Sequence, residues 1–444
     1  MKHAVVVGAG IAGLLAARAL VGVYDRVTVF ERDELPAGPT SVEDSEARRG
    51  VPQGRHAHLL LARGLIAMEE LLPGLTESLR QEGVLAADLQ QDMRWTGNGS
   101  TVRRDSSGLR TMLVSRPGLE AGLRRRLAAL GGVDVLDRHE TVGLLRASGT
   151  RVVKGVSVRA VGEDRPPRGV TADLVVDATG RASRGPTWLA QAGLAVPPAE
   201  RSPIDLRYTT LRFEATTDRL SGDLGVVATA TGTVARGMVA LAQGGNEWVV
   251  TLQGRGEDAP PTGRQGFLDF VSSLGVADVR DALAGLRPVG EAVPGRYPDV
   301  TSHHYHSLEE HPYGFLALGD AFAGLDPAHG QGMTSAAVQA LLLRECLLKG
   351  EECVESSYAG LAAELTGTLR AGGTASYAPV GADERWRTRV SQRDWYMGLV
   401  YEAAAKDTEV ARTLIRLAHL LEPPGVLLRD DFRQRILALT TEAR

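Results

Sequence analysis

The stretch AVVVGAGIAGLLAARA, residues Ala4 to Ala19, passes from a short β-branched apolar run into three glycines and then into apolar residues at helical spacing. The pattern predicts strand, tight turn and helix. Gly8 permits the turn, Gly10 lets the backbone approach a pyrophosphate, and Gly13 lets helix and strand pack closely, with the positive helix end facing the anion. The next apolar run, RVTVFER, ends in Glu31, an acid placed about 20 residues beyond the glycines, where a ribose 2′-hydroxyl is held. These residues, with Ile11 and Ala12 in the turn and Arg32 near the adenosine end, point to a dinucleotide with an unphosphorylated ribose.

A second strand, loop and helix follows far along the chain, in FLALGDAFAGLDPAHGQGMTSAAVQALLLREC, Phe315 to Cys346. Asp320 stands at the carboxyl end of the strand, where a carboxylate accepts from a polyol hydroxyl. Gly330 and Gly332 leave amides bare where a helix begins near Met333, so that its positive end faces a developing anion. That arrangement suits the N1/O2 edge of a reduced flavin.

With 444 residues, two or three structural units are expected. A net charge of -4 with 23% charged residues gives neither the basic excess of a nucleic-acid binder nor an acidic tail. Small-molecule chemistry is the expectation. Cys346 and Cys353 fall on an apolar stretch at a spacing that suits one helix face rather than a disulfide or a metal, which suggests a reducing cytoplasm. Glycines and Arg18 interrupt the N-terminal apolar run, so it does not read as a signal peptide, and no segment offers the roughly 20 apolar residues of a membrane span.

Between the glycine clusters the period changes. A helix is expected from about His58 to near Pro73, short strands over Val84 to Val114 in a smaller sheet, and a helix in SRPGLEAGLRRRLAAL, with Pro117 in its first turn. Strands are read in VDVLD, RVVKGVSVRA and ADLVVD. From about Asp205 to Arg255, DLRYTTLRF, GVVATA, GMVALA and EWVVTLQ alternate as antiparallel strands, and RQGFLDFVSSL follows as a helix. The fold class is α/β: a Rossmann-like nucleotide domain, discontinuous over 1–80, 111–185 and 290–350, an inserted antiparallel-sheet substrate domain over 81–110 and 186–289, and a C-terminal helical region over 351–444.

Three motifs now carry a resemblance: Gly8 to Gly13 with Glu31, Gly319-Asp320 followed by Pro327, and the strand-turn DATGRAS from Asp177 to Ser183. The chain resembles the FAD-dependent aromatic hydroxylases and epoxidases of the para-hydroxybenzoate hydroxylase type of fold. The segment RGVPQGRHAHLLLARG, Arg49 to Gly64, is similar in style to the bacterial polyether and squalene epoxidases. The resemblance implies FAD, with Asp320 on the ribityl chain, Pro327 near the flavin face that meets oxygen, Arg116 near the ribityl and phosphate region, and Gln53, Arg55, His56 and His58 near the isoalloxazine.

The implied activity is insertion of one oxygen atom from O2, through a flavin C4a-hydroperoxide, into an apolar polyketide- or terpene-like compound of bacterial secondary metabolism. Alkene epoxidation is the expected form, which needs no catalytic base. Aromatic hydroxylation of a polyketide phenol and reduction of an isoprenoid double bond remain alternatives, as does a flavin-binding scaffold without turnover. Phenol hydroxylases of this kind usually carry Asp-Gly in the third motif, where this chain has Thr179-Gly180; NAD(P)H as direct reductant and a separate flavin reductase both stay open. None of the five tryptophans has another two residues away, so the halogenase signature Trp-x-Trp-x-Ile-Pro is not found.

Arg55, His56 and Pro327 are the candidate catalytic residues, and Phe213, Met238 and Trp248 are candidates for an apolar substrate cavity or for ordinary core. His303, His304 and His306 alternate along an expected strand without a completing ligand, so no metal site is expected.

Overall fold

The computed structural model describes residues 1–36, 40–163, 165–230, 235–350, 353–374 and 384–441. Its centre is a five-stranded parallel sheet in the order Phe315–Ala317, Leu174–Asp177, His3–Val7, Arg26–Phe30, Val133–Leu136. Ala4, Val5, Val6, Val27, Val29, Val175 and Val176 are wholly enclosed. Continuous β-branched runs are what a sheet covered on both faces requires. The helices Ile11–Leu20, Ala62–Leu71, Arg116–Ala128 and Gly332–Lys349 supply the cover.

A seven-stranded, largely antiparallel sheet runs Pro288–His303, Ala199–Glu214, Glu247–Arg255, Gly237–Gln243, Gly225–Ala228, Met93–Gly97, Ser100–Thr101. Thr210 lies opposite Thr251, Phe213 opposite Trp248, and Met238 opposite Leu252. Because side chains alternate along a strand, Thr210 and Thr251 share one face while Phe213, Trp248, Met238 and Leu252 share the other. The second face is sealed: Phe213 and Met238 are 0% exposed, and Phe213 meets Phe267 of the helix Arg264–Ser272 with ring centroids 6.3 Å apart. A three-stranded sheet (His139–Arg146, Val153–Ala160, Arg168–Thr171) and a two-stranded one (Leu85–Asp88 with Arg110–Leu113) complete the set.

The fold is thus α/β, with a Rossmann-like parallel layer, antiparallel sheets and a C-terminal helical region. In that region Asp407 caps the helix Thr408–Ala418 by accepting from the amides of Glu409 and Val410, both at 2.9 Å. Its apolar stripe of Val410, Ala411, Leu414 and Ile415 joins the core of the seven-stranded sheet. No helix among the described residues is long and apolar enough to cross a membrane.

Several local expectations are corrected. The helix expected from His58 begins at Ala62, because His56 and Ala57 are drawn into hydrogen bonds with the sheet. Met93–Gly97 belongs to the large sheet rather than a small one. Cys346 and Cys353 do not share a helix: the helix of Cys346 ends at Lys349, with Gly350 at φ +65 in the left-handed region, and the two form no disulfide. The strand Pro288–His303 stops before His304, and His306 sits in the turn Tyr305–Ser307, so the three histidines do not alternate along one strand. The sequence gives no signal for the strand His139–Arg146, for the length of Pro288–His303 before His303, or for the helix Ala277–Ala284.

Candidate active site

At the first glycine cluster the backbone geometry leaves no choice of residue. Gly8 has φ +101, and a Cβ there would lie 2.7 Å from the carbonyl oxygen of Ala178; at Gly13 it would lie 1.8 Å from that of Gly8. Glu31 ends its strand buried, with Oε2 accepting from the Ala9 amide at 2.8 Å and Oε1 from the Asp33 amide at 2.9 Å. Arg48, absent from the candidates read in the sequence, meets Glu31 at 3.0 Å, Asp33 at 3.2 Å and Glu120 at 3.2 Å. Burial alone would lower its pKa, but the three carboxylates outweigh it and hold the guanidinium charged.

Arg116, Glu120 and Arg124 repeat at i, i+4 and i+8 on the helix Arg116–Ala128, whose Ser115 cap accepts from the Gly118 amide at 3.1 Å. Leu119, Leu123 and Leu127 take the buried face. Arg116 donates to Glu120 at 3.2 Å. Arg124 pairs with no acceptor among the described residues, and its pKa is lowered, by burial first. The missing Cβ of Gly10 would lie 3.7 Å from Arg48 Nη2 and 3.9 Å from Glu120 Oε1. A bare backbone at a helix N-terminus, one charged guanidinium beside it and one uncommitted arginine fit a pyrophosphate. Arg32 is exposed.

The second cluster abuts the first. A Cβ on Gly319, at φ +70, would lie 2.9 Å from the Cβ of Ala12, and the Gly319 amide donates to Gln339 Oε1 at 2.8 Å. Asp320 sits in the turn Gly319–Ala321 and accepts no hydrogen bond from the described residues. Burial raises its pKa, opposed by the charges of Arg116 and Arg181. It is therefore a carboxylate with acceptor capacity unspent, which fits a hydroxyl-bearing chain. Pro327 opens the turn Pro327–His329, Gly330 follows at φ +64, and the helix Gly332–Lys349 starts with no side-chain cap, its Met333 buried. A Cβ on Gly332 would stand 3.9 Å from Asp320 Oδ1.

In the third motif, Asp177 is the structural centre. Its Oδ1 accepts from the Thr179 amide at 3.0 Å and hydroxyl at 2.6 Å, and its Oδ2 from Ser183 at 2.5 Å. The turn leaves Arg181 exposed, with its guanidinium 4.2 Å from the Tyr297 ring centroid.

The Thr210 face of the large sheet meets the segment that follows the turn Pro52–Arg55. His56 Nδ1 lies 2.8 Å from Thr210 Oγ1, Thr210 Oγ1 lies 2.7 Å from Thr251 Oγ1, and Thr251 accepts from the Ala57 amide at 2.8 Å. The His56 ring packs 5.4 Å from Tyr208. Burial, then the Arg55 charge, lowers its pKa to about 4, so it is neutral near pH 7. His58 donates from Nδ1 to the His56 carbonyl at 2.9 Å, and burial followed by Arg116 takes it to about 3. Gln53 is half-buried and Arg55 exposed.

The structure thus brings Gly8 to Gly13, Glu31, Arg116, Asp320 and Gly330 to Met333 to one edge of the parallel sheet, with His56 bonded to Thr210 of the large sheet. Phe213, Met238 and Trp248 lie on the far, sealed face. The arrangement recruits Arg48, Arg124, Arg181, Thr210, Thr251, Tyr208 and Tyr297 as well; only the charged stripe on Arg116–Ala128 had a visible sequence signal.

No protein-family profile matches the chain. Among solved structures, it superposes on a flavoprotein/dehydrogenase from Cytophaga hutchinsonii with a TM-score of 0.70 at 15% identity, covering 100% of both chains. It superposes on the flavin-dependent brominase Bmp2 with a TM-score of 0.67 at 13% identity, over 99% of this chain and 100% of that one. PqsL of Pseudomonas aeruginosa, solved in complex with 2-aminobenzoylacetate, gives 0.64 at 17% identity, over 88% of this chain and 100% of that one. These likenesses establish the fold. Protein Rv3254 of Mycobacterium tuberculosis is 34% identical over 443 residues, covering 95% of this chain and 90% of that protein, and the chain therefore belongs to the family of Rv3254.

Proposed function

We propose that the chain binds FAD and is a monooxygenase acting on an uncharged, largely apolar substrate, with alkene epoxidation as the reaction. The observation that carries this reading is the confrontation of two surfaces. One is the edge bearing the unspent Asp320 and the uncapped helix at Gly332; the other is the Thr210 face of the large sheet. Glu31 would hold the ribose, Arg48 and Arg124 the pyrophosphate, and Asp320 with Arg116 the ribityl chain. Reduced FAD, when bound, supplies the capacity to activate O2 and deliver one oxygen atom.

The chain's own residues then orient the substrate and exclude water. Along the face from Thr210 through Thr251 to Val239, Val227 and Trp95, ladder partners in register, the groups are hydroxyl or apolar. A charged substrate would leave its charge unpaired there. His56, neutral above about pH 4, offers a hydrogen bond and is a weak base. That favours epoxidation over phenol hydroxylation, which gains from a base that ionises the ring. Double-bond reduction remains the second reading, supported by the turn at Thr179 to Arg181.

The test is turnover of a terpenoid or polyketide alkene under isotopically labelled O2 with reduced FAD supplied. One labelled oxygen in an epoxide is expected; a saturated, unlabelled product would overturn the proposal in favour of the reductase. Running the reaction with NADPH alone and with an added flavin reductase decides the electron source.

A further inference from the structure

The loop that carries Pro327 is tied to the sheet that faces it. Arg255, the last residue of the strand Glu247–Arg255, donates through Nη2 to Asp326 Oδ2 at 2.5 Å and through Nη1 to the Ile204 carbonyl at 2.7 Å. The pair is enclosed, with the two side chains 13% and 16% exposed. Asp326 uses its other oxygen to cap the turn Pro327–His329, accepting from the Ala328 amide at 3.1 Å. Ala328 in turn packs on the cluster of Leu206, Tyr208 and Tyr297.

The neighbouring strand is shaped for this contact. Between Pro203 and Leu206 its register with Pro288–His303 shifts, and Asp205 takes φ +37, in the left-handed region that non-glycine residues seldom adopt. Such a bulge re-aims groups that the ladder would otherwise occupy. Here the carbonyl of Ile204 receives Arg255.

We infer that Arg255 and Asp326 form a latch by which the large sheet positions the Pro327 turn and the helix start behind it, so that both surfaces of the proposed FAD site keep a fixed separation. Arg255 and Asp326 are positioning residues, not catalytic ones. The inference rests on the proposed FAD site, and its test does not depend on oxygen transfer.

The test compares Arg255→Met, Arg255→Lys and Asp326→Asn with the wild-type chain. The asparagine retains an oxygen for the Ala328 amide, so the turn keeps its cap while the ion pair is lost. The readouts are the FAD dissociation constant and the absorbance band shape of bound FAD. Loss of a charge-assisted bond that orders a binding loop is worth about tenfold in affinity. Arg255→Met and Asp326→Asn are each expected to weaken FAD by about that factor and alter the band shape, with the double variant no worse than either single and Arg255→Lys intermediate. Wild-type affinity and band shape in both single variants, whatever their melting temperature, would overturn the latch. Failure of the wild-type chain to bind FAD would sink the proposed function and the latch with it.

Discussion

Asp320 is the residue of the site whose carboxylate has acceptor capacity unspent among the described residues. It is half-buried, burial raises the pKa of its carboxylate, and the two nearby guanidinium groups only partly offset that rise. A carboxylate held this way is stabilised by a ligand hydroxyl that donates to it. Asp320→Ala is expected to weaken FAD by roughly ten- to a hundredfold, read by quenching of flavin fluorescence on titration. Full flavin occupancy in the purified variant would remove its assigned role. Gly13 makes a sharper case, since an added Cβ would stand 1.8 Å from a backbone oxygen that cannot yield without opening the turn. Gly13→Ala is expected to yield protein without flavin, checked by the absorbance of the purified chain.

At the scale of elements, the helix Ala62–Leu71 has no cap of its own, and its first amides are satisfied from the far end of the chain. His419 Nδ1 accepts from the Ala62 amide at 3.2 Å, and the His419 carbonyl accepts from Arg63 at 3.3 Å. Accepting at Nδ1 requires the neutral ring, and burial lowers its pKa to about 3. His419→Ala should cost about 1 kcal/mol or more, as loss of a helix cap does, measured by denaturant unfolding. His56 and His58 on the adjoining segment are likewise depressed, to about 4 and about 3. For such groups the unfolded chain binds more protons than the folded one between pH 6.5 and the folded value. Stability is therefore expected to fall as pH drops through that window, progressively from about 6.5 toward 3 to 4. Unfolding midpoints between pH 7.5 and 4 check this, and a midpoint that stays flat in the triple variant with His56, His58 and His419 replaced by Gln would attribute the effect to them.

For the whole molecule, the proposed FAD site joins the parallel sheet to the antiparallel one, so cofactor binding should stabilise the assembly rather than one element. A ligand at a hundred times its dissociation constant adds about 2.7 kcal/mol to the folded state. For a chain of this size that corresponds to a rise of several degrees in the melting temperature, measurable by scanning calorimetry with and without FAD. The same addition to Asp320→Ala should give a smaller shift at equal FAD concentration.

What was legible beforehand divides along physical lines. The strand-turn-helix at Gly8 to Gly13, the acid at Glu31 and the second glycine loop were readable because each is local: close approach and left-handed backbone demand glycine at fixed offsets, and alternation or 3.6-residue spacing marks the faces. Phe213, Met238 and Trp248 show where local reading stopped. Alternation placed them on one face of a sheet, but only the packing of Phe267 against Phe213 made that the sealed face and left Thr210 and Thr251 on the face that meets His56 and Ala57. Arg48 over Gly10, His419 on Ala62 and Arg255 on Asp326 join residues 38, 357 and 71 positions apart. By itself, then, the sequence determined the two strand-turn-helix elements that carry the glycine clusters, since their geometry is written into consecutive residues. The tertiary structure alone decided which charges meet, which sheet face looks inward and which distant segment caps a helix, because burial and long-range pairing depend on where the chain returns to itself.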